Sequence, residues 1–475
     1  MKRSRSYMVS VAWLIAAVAL GVGLDRLGIF NPRPAPAPHN SDAYDFVSTL
    51  VDIRSLIQSN YVTSISDSTL LDGAVRGMLH QLDPYSIYLS ADQWNQFDQE
   101  TYGQFSGIGA QIGSYSNQGP FVIITPLEDS PALKAGMMAG DQIVAIDSQS
   151  VRDWDLSQVL SAVGGVPGTE VRMSVIHPGS SRPVTLTIRR ALMHEESVKG
   201  FHRLSANAGH WDYLIDPQHR IAYVRITTFM QSTPQQLDQA LLPLLYSPGG
   251  LSGIILDLRF NPGGLLDSGV GVVRRFISNG VIVTTRGRDG VELSSDYADG
   301  KNTYPQVPLV VLVNAYTASA AEIVSGALQD YHRAAIVGTR TFGKGSVQDI
   351  FPLDGGLTAV KLTIAHYYLP DGRNITRLPD ATTWGINPDP GDVITLTPDQ
   401  NEAILQAFDQ GEIIYPMNQK LQKQVNIRLG IQVEASGFID PQLKRALDLL
   451  IKSTATSQPS IVAASATTLP ATTSR

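Results

Sequence analysis

The chain has 475 residues, 43% apolar and 17% charged, with a formal net charge of −7 and no cysteine. At roughly 150 residues per domain this length predicts about three domains, and the apolar share excludes a wholly disordered polyelectrolyte. No surplus of Lys and Arg exists to displace counterions from nucleic acid, and without Cys there is no disulfide, thiolate metal site, cysteine nucleophile or lipidated cysteine.

Lys2, Arg3 and Arg5 precede an apolar run from Met8 to Leu24. Positive charge before such a run predicts export of the chain beyond it. At about 17 residues the run falls between a signal-peptide core and a full membrane span. Ala35-Pro-Ala37 leads into Pro38, a poor cleavage context. Residues 1–30 are therefore expected to be a signal anchor rather than a cleaved signal peptide. The expected location is a bacterial-type cell membrane, crossed once, with the region beyond the segment extracytoplasmic, or secreted if the segment is cleaved. Prolines 32, 34, 36 and 38 predict a stiff, extended linker over residues 31–40.

Residues 41–101 read as a helical N-terminal region. Ser41-Asp42 is a cap, and Phe46, Leu50, Ile53, Leu56 and Ile57 follow at helical spacing. A second helix through Leu70, Val75 and Leu79 is stopped by Asp83-Pro84. Over residues 102–192 the pattern changes to short strands and Gly-rich turns. Strands are predicted at Phe121–Ile124, Asp141–Ile146, Glu170–Ile176 and Pro183–Arg189, and helices at Pro131–Lys134 and Trp154–Val163. Over residues 193–400 strands alternate with helices, which predicts an α/β core. The strands are Ile221–Ile226, Gly253–Leu258, Leu309–Val313 and Ala334–Val337; the helices are Pro234–Leu245, Leu265–Ile277 and Ser319–Tyr331. Residues 401–452 are a helical C-terminal extension, suited to bracing a homodimer, contacting cell-wall material or covering the core. Residues 453–475, rich in Ser, Thr and Ala, read as a disordered tail. The expected fold class is thus α/β multidomain.

Chemistry concentrates in three strings of the core. The first runs from the strand Leu309–Val313 into Asn314-Ala-Tyr-Thr317 and the helix start Ala318-Ser319-Ala320-Ala321-Glu322. Ser319-x-x-Glu322 fits a helix capping box. It also fits a serine nucleophile on a strand-to-helix turn, with the Ala320 amide at the positive helix end to hold an oxyanion. The second is Gly338-Thr-Arg-Thr-Phe-Gly343-Lys344. It fails as a phosphate loop because Gly345 replaces the Ser or Thr that would bind magnesium, and no helix pattern follows. A strand–helix–strand path returns the chain beside its start, which brings Lys344 toward Ser319. Lysine is a base only when neutral, and at a pKa of about 10.4 roughly 0.04% is neutral at pH 7. Burial lowers that pKa; Phe342 and the neighbouring apolar strands are expected to supply the pocket, and Gln348 to orient the amine without adding charge. The third is Asp257-Leu-Arg259-Phe-Asn261-Pro-Gly-Gly264 between a strand and a helix. Its glycines make a tight turn, or bring an amide close to a substrate carbonyl.

Together, Asp257–Gly264, Thr317-Ala-Ser-Ala-Ala-Glu322 and Thr341-Phe-Gly-Lys-Gly-Ser-Val-Gln348 resemble the core motifs of the carboxyl-terminal processing peptidases, or tail-specific proteases. The resemblance spans about residues 42–392 and includes Leu82-Asp-Pro-Tyr-Ser86. It implies an α/β serine-protease core with Ser319 as nucleophile, Lys344 as general base and Gln348 positioning Lys344. The oxyanion donors it implies are Ala320 and a glycine of the turn, Gly264 in preference to Gly263. Thr317 and Ala321 stand where many members have Ser.

Phe105-Ser-Gly107-Ile108-Gly109-Ala110 alone reads as a turn. Ahead of Pro131–Ala135, Gly140–Val144 and the helix from Trp154, it resembles an inserted PDZ domain with this family's permuted strand order. Such a domain adds a C-terminal peptide as a strand. The resemblance implies that Gly107, Ile108, Gly109 and Ala110 receive the carboxylate, that Val159 and Leu160 line the side-chain pocket, and that substrates are proteins with apolar C-terminal tails. No metal or organic cofactor is implied. His194-Glu195 lacks the second His of a zinc protease. His332 and His366 leave a Ser–His–Asp triad open by composition, although His366 reads as an outward-facing strand residue. The alternative function is a catalytically inactive PDZ scaffold, for which Ser319, Lys344 and Gln348 together have no use.

Overall fold

A computed structural model of the chain describes residues 40–91, 93–94, 104–114, 120–204, 210–301, 303–429 and 439–456. The expected signal anchor, nearly all of its Pro-rich linker and most of the Ser/Thr/Ala-rich tail lie outside these residues. Among the described residues no helix is long and apolar enough to cross a membrane.

Helices α1 (Asn40–Asn60) and α2 (Asp67–His80) open the described chain. Ser66 caps α2 through its hydroxyl, which accepts the Thr69 N–H. Helix α2 ends ahead of Asp83-Pro84, as expected. Pro84 disfavours helical geometry at Asp83, and the Asp83 carboxylate ties the Tyr85 and Ser86 N–H groups into a turn. A short strand, β1 (Ile87–Leu89), follows, with Leu89 buried against Ala359.

Next comes a β-rich module. Strands β2 (Gln104–Gly107), β3 (Ala110–Ser114) and β4 (Phe121–Pro126) lead to the short helix α3 (Pro131–Lys134). Strand β5 (Gln142–Ile146), helix α4 (Leu156–Val163), and strands β6 (Glu170–Ile176) and β7 (Val184–Arg189) follow. The antiparallel sheet has the order β3-β4-β5-β6-β7, so β3 is an edge strand, and α4 runs against it. Alternation along β6 sends Val171, Met173 and Val175 into the module's core. Helix α4 begins after Trp154 because Asp155 and Gln158 form a reciprocal cap. Strand β8 (Ala191–His194) pairs with β2 and closes the module.

The core follows as β9 (Val198–Lys199), β10 (Ile221–Ile226), α5 (Thr233–Leu245), β11 (Gly253–Asp257), α6 (Leu266–Arg274), β12 (Gly280–Arg286) and β13 (Glu292–Ala298). It continues as β14 (Leu309–Val313), α7 (Ala320–Asp330), β15 (Ala335–Gly338), β16 (Ser346–Leu353) and β17 (Thr358–Tyr368). One sheet has the order β9-β10-β11-β14-β15 and is parallel from β10 onward. Every residue of β10, β11 and β14 is buried, as expected where both faces are covered. Helices α5, α6 and α7 cover one face. A second, antiparallel sheet joins β1, β17, β12 and β13, with β16 also paired to β17.

Helices α8 (Pro398–Glu412), α9 (Gln419–Leu429) and α10 (Pro441–Thr456) form the extension. Of the three roles expected for it, α10 fills the last: Ala446 and Leu450 cover the second face of the parallel sheet against Tyr223, Ile255 and Val310. It runs on to Thr456, past the expected end at Lys452. Helix α9 packs Val425 against Ala139 of the β-rich module.

Candidate active site

The strands β11, β14 and β15 are neighbours in one parallel sheet, so the loops at their C-terminal ends converge. These loops carry the three strings singled out in the sequence.

Ser319 follows β14 and immediately precedes α7. Its backbone lies at φ +56°, ψ −122°, a conformation costing about 1–3 kcal/mol for a residue with a side chain. Neighbours hold it there. The Ser319 N–H donates to Glu322 Oε2 at 2.9 Å, the Ala318 N–H to the Asn261 carbonyl at 2.9 Å, and the Thr317 hydroxyl to the Leu258 carbonyl at 2.8 Å. The capping expectation is thus half met. Glu322 receives the Ser319 amide, but Ser319 Oγ, although buried, has no hydrogen-bond partner among the described residues. This turn frees the hydroxyl where an ordinary cap would spend it on the helix.

Glu322 also reaches the second string. Its Oε2 accepts the Lys344 N–H at 2.8 Å, and its Oε1 accepts the Gly343 N–H at 2.7 Å and the Thr341 hydroxyl at 2.5 Å. One carboxylate oxygen therefore holds the backbone nitrogens of both Ser319 and Lys344. Burial pushes Glu322 up to about 7, against donors that favour its ionised form.

The Lys344 side chain is 5% exposed. Burial pushes its amine down to about 8, while the Glu322 carboxylate pulls it up. The expected pocket is misassigned: Phe342 is 42% exposed, and the aromatic group over the amine is Tyr85, with its ring centroid 5.0 Å from Nζ. The amine does not hydrogen-bond Ser319 Oγ in this structure. Gln348 is buried, and its amide donates to Ser346 Oγ at 2.7 Å and to Thr363 Oγ1 at 3.2 Å. These bonds take it toward β17.

The turn after β11 settles against the same helix start. A Cβ on Gly263 would stand 2.7 Å from Ser319 Cβ, and one on Gly264 would stand 2.3 Å from the Phe229 carbonyl oxygen. Their φ values of +104° and +142° also require glycine. The Gly263 N–H is taken by Asn261 Oδ1 at 2.8 Å. The N–H groups of Gly264 and Ala320 have no acceptor among the described residues. That separates Gly264 from Gly263 as a free donor. Among the described residues no histidine hydrogen-bonds Ser319 Oγ: His366 Nδ1 lies 3.2 Å from Thr376 Oγ1, and His332 follows the far end of α7.

In the β-rich module, Gly107 ends β2, Ala110 begins β3, and Gly109 turns at φ +73° between them. The Ile108 and Gly109 N–H groups have no acceptor among the described residues. The side chains of Ile108 and Val159 are buried in the module's own core. In this structure Val159 therefore does not line an open pocket, whereas Leu160, one position on, is exposed.

Sequence reasoning missed four residues. Glu322 was read only as a local cap partner. Tyr85 and Asp83 lie in a segment read only as a helix stop at Asp83-Pro84 and as part of the resemblance at Leu82–Ser86. Lys361, buried on β17, has its amine pushed down to about 8 by burial and by the Lys344 charge, with Asp83 opposing.

Residues 220–390 match peptidase family S41, residues 37–93 the activating protease CtpB N-terminal domain, and residues 122–176 a PDZ domain. The carboxy-terminal-processing protease of Bartonella bacilliformis is 34% identical over 381 residues, 80% of this chain and 81% of its own. The carboxy-terminal processing protease CtpB of Bacillus subtilis is 29% identical over 370 residues, 76% of this chain and 72% of its own. A solved photosystem II D1 C-terminal processing protease aligns at 29% identity with a TM-score of 0.42, over 80% of this chain and 99% of its own.

Proposed function

Because this chain belongs to peptidase family S41, among the carboxy-terminal-processing proteases, and carries a PDZ domain, we propose that it is an exported endopeptidase that captures proteins by apolar C-terminal tails and cuts them with a Ser319/Lys344 dyad. It is a serine-type peptidase by family. The observation that carries the finer reading is the Glu322 carboxylate, one oxygen of which accepts both the Ser319 and the Lys344 amides. Nucleophile and base are thereby keyed to one group.

Ser319 Oγ attacks the peptide carbonyl while neutral Lys344 takes its proton. This requires Nζ to close within hydrogen-bond reach of Oγ. The carbonyl oxygen becomes an oxyanion facing the N–H groups of Gly264 and Ala320, whose positive helix end favours negative charge. The tetrahedral intermediate collapses, the C–N bond breaks, and Lys344 returns the proton to the leaving amine. Water, activated by the same amine, then releases the acyl group.

In the PDZ domain β3, the edge strand of the sheet among the described residues, lies beside α4 and suits an added peptide strand, and the Ile108 and Gly109 amides suit its terminal carboxylate. Residues 1–30 would tether the enzyme to the membrane with this apparatus outside the cell. The test is cleavage of one folded reporter carrying either an apolar or a charged C-terminal tail. The wild type is expected to cut the apolar-tailed reporter faster, and Ser319→Ala to cut neither. Equal cutting by both proteins would remove Ser319 as nucleophile.

A further inference from the structure

Lys344 sits at the meeting of three elements: the loop after β15, the start of α7 that carries Glu322, and the turn at residues 83–86. That turn comes from the N-terminal region, outside the residues that match the peptidase family. We propose that Tyr85 is a positioning residue for the Lys344 base, its ring closing the amine's pocket to water and fixing where Nζ lies. The proposal rests on the dyad reading above.

The ring is held as a built part. Asp83 Oδ1 accepts the Tyr85 N–H at 2.7 Å and the Ser86 N–H at 2.9 Å, and Asp83 Oδ2 accepts the Ser86 hydroxyl at 2.7 Å. The turn is fastened to β17, where the Thr363 N–H donates to Ser86 Oγ at 3.1 Å and the Thr363 hydroxyl to Asp83 Oδ1 at 3.2 Å. Strand β1 continues the attachment by pairing Ile87 with Lys361. Gln348 donates to Thr363 Oγ1 as well, so Gln348 and the turn that carries Tyr85 share that hydroxyl.

The ring acts on Lys344 in two opposed ways. A cation over a ring face is attracted to it, which favours the ammonium. Exclusion of water disfavours the ammonium. The amine is almost fully buried and lowered overall, so exclusion prevails. The other charged or titratable groups that act on it are Glu322 from α7 and Lys361 from β17, while Asp83 of the turn acts on Lys361. None of these shields it as an apolar face does. The phenol hydroxyl has no part in this account, and Phe should serve as well as Tyr.

The test uses the wild type, Tyr85→Phe and Tyr85→Ala. The Lys344 amine is titrated by NMR of protein with 13C-labelled lysine, its signal assigned with Lys344→Arg, and kcat/KM is followed against pH on the apolar-tailed reporter. Tyr85→Ala is expected to raise the Lys344 titration by about one pH unit, with an about tenfold loss of kcat/KM at pH 7 regained at higher pH. Tyr85→Phe should follow the wild type in both. An unmoved titration in Tyr85→Ala, or equal damage in Tyr85→Phe, overturns the proposal. The titration is read without any turnover. A wild type that cuts no reporter, or cutting that survives Ser319→Ala, counts against the dyad reading instead.

Discussion

Glu322 shows how one residue joins two stretches of chain. The sequence carries a local sign of it, since Ser319-x-x-Glu322 is a cap pattern. The remaining donors lie 19 to 22 positions onward, at Thr341, Gly343 and Lys344, and no periodicity links positions so far apart. The local pattern also predicted the wrong partner for the serine hydroxyl, because it could not show the positive φ that turns Oγ away from the helix. Glu322→Gln keeps the shape but replaces one accepting oxygen with an NH2 that faces N–H donors. Each buried donor so stranded costs about 1–3 kcal/mol. We expect a lower melting temperature and a fall in kcat/KM of about 100-fold or more, with tail-peptide affinity of the PDZ domain unchanged. Wild-type kcat/KM in this variant would contradict the assignment of Glu322 as the common anchor.

Among the elements, those defined by their own pattern were legible. The apolar strands of the parallel sheet and the Ala-rich helix α7 stand within a residue or two of their expected places. Elements defined by distant partners were not. The segment 87–89 is a strand because β17 is there to pair with it, and nothing within three residues announces that. Helix α10 was legible as a helix, but its seat was not. That seat includes Arg259, whose guanidinium donates to Asp257 and, at 2.7 Å and 3.1 Å, to Asp440 and Gln442 beside the start of α10. Arg259 leads directly into the turn that presents Gly263 and Gly264, so the last helix braces the turn that carries the proposed oxyanion donor. Removing one partner of a buried ion pair costs about 3–5 kcal/mol. Asp440→Ala is expected to lose stability within that range in denaturant unfolding and to lower kcat more than it raises KM. A variant as stable and as active as the wild type would show that α10 only covers the sheet.

At the scale of the whole molecule, shifts in pattern along the chain marked out the helical start, the β-rich insertion, the α/β core and the helical end. How the PDZ domain is held was not legible, because its ties join residues far apart in sequence. Arg203 bridges Glu128 of the PDZ domain and Glu196 of the core, and Arg428 of α9 donates to the Gly140 carbonyl. The extension and the core thus seat the module that is proposed to choose the substrate, while a turn from the N-terminal region places the Tyr85 ring over the Lys344 amine, the proposed base. Every step of this account depends on that amine being neutral near physiological pH. The most direct measurement is kcat/KM against pH for the wild type and for Lys344→Arg. A base lowered to about 8 is mostly protonated below that pH, so wild-type kcat/KM should climb about tenfold per pH unit and level off above about 8. Arginine keeps the charge but stays protonated, and the variant should show no such limb and almost no activity. A Lys344→Arg enzyme that retains the wild-type rate and pH profile would contradict the lysine base outright.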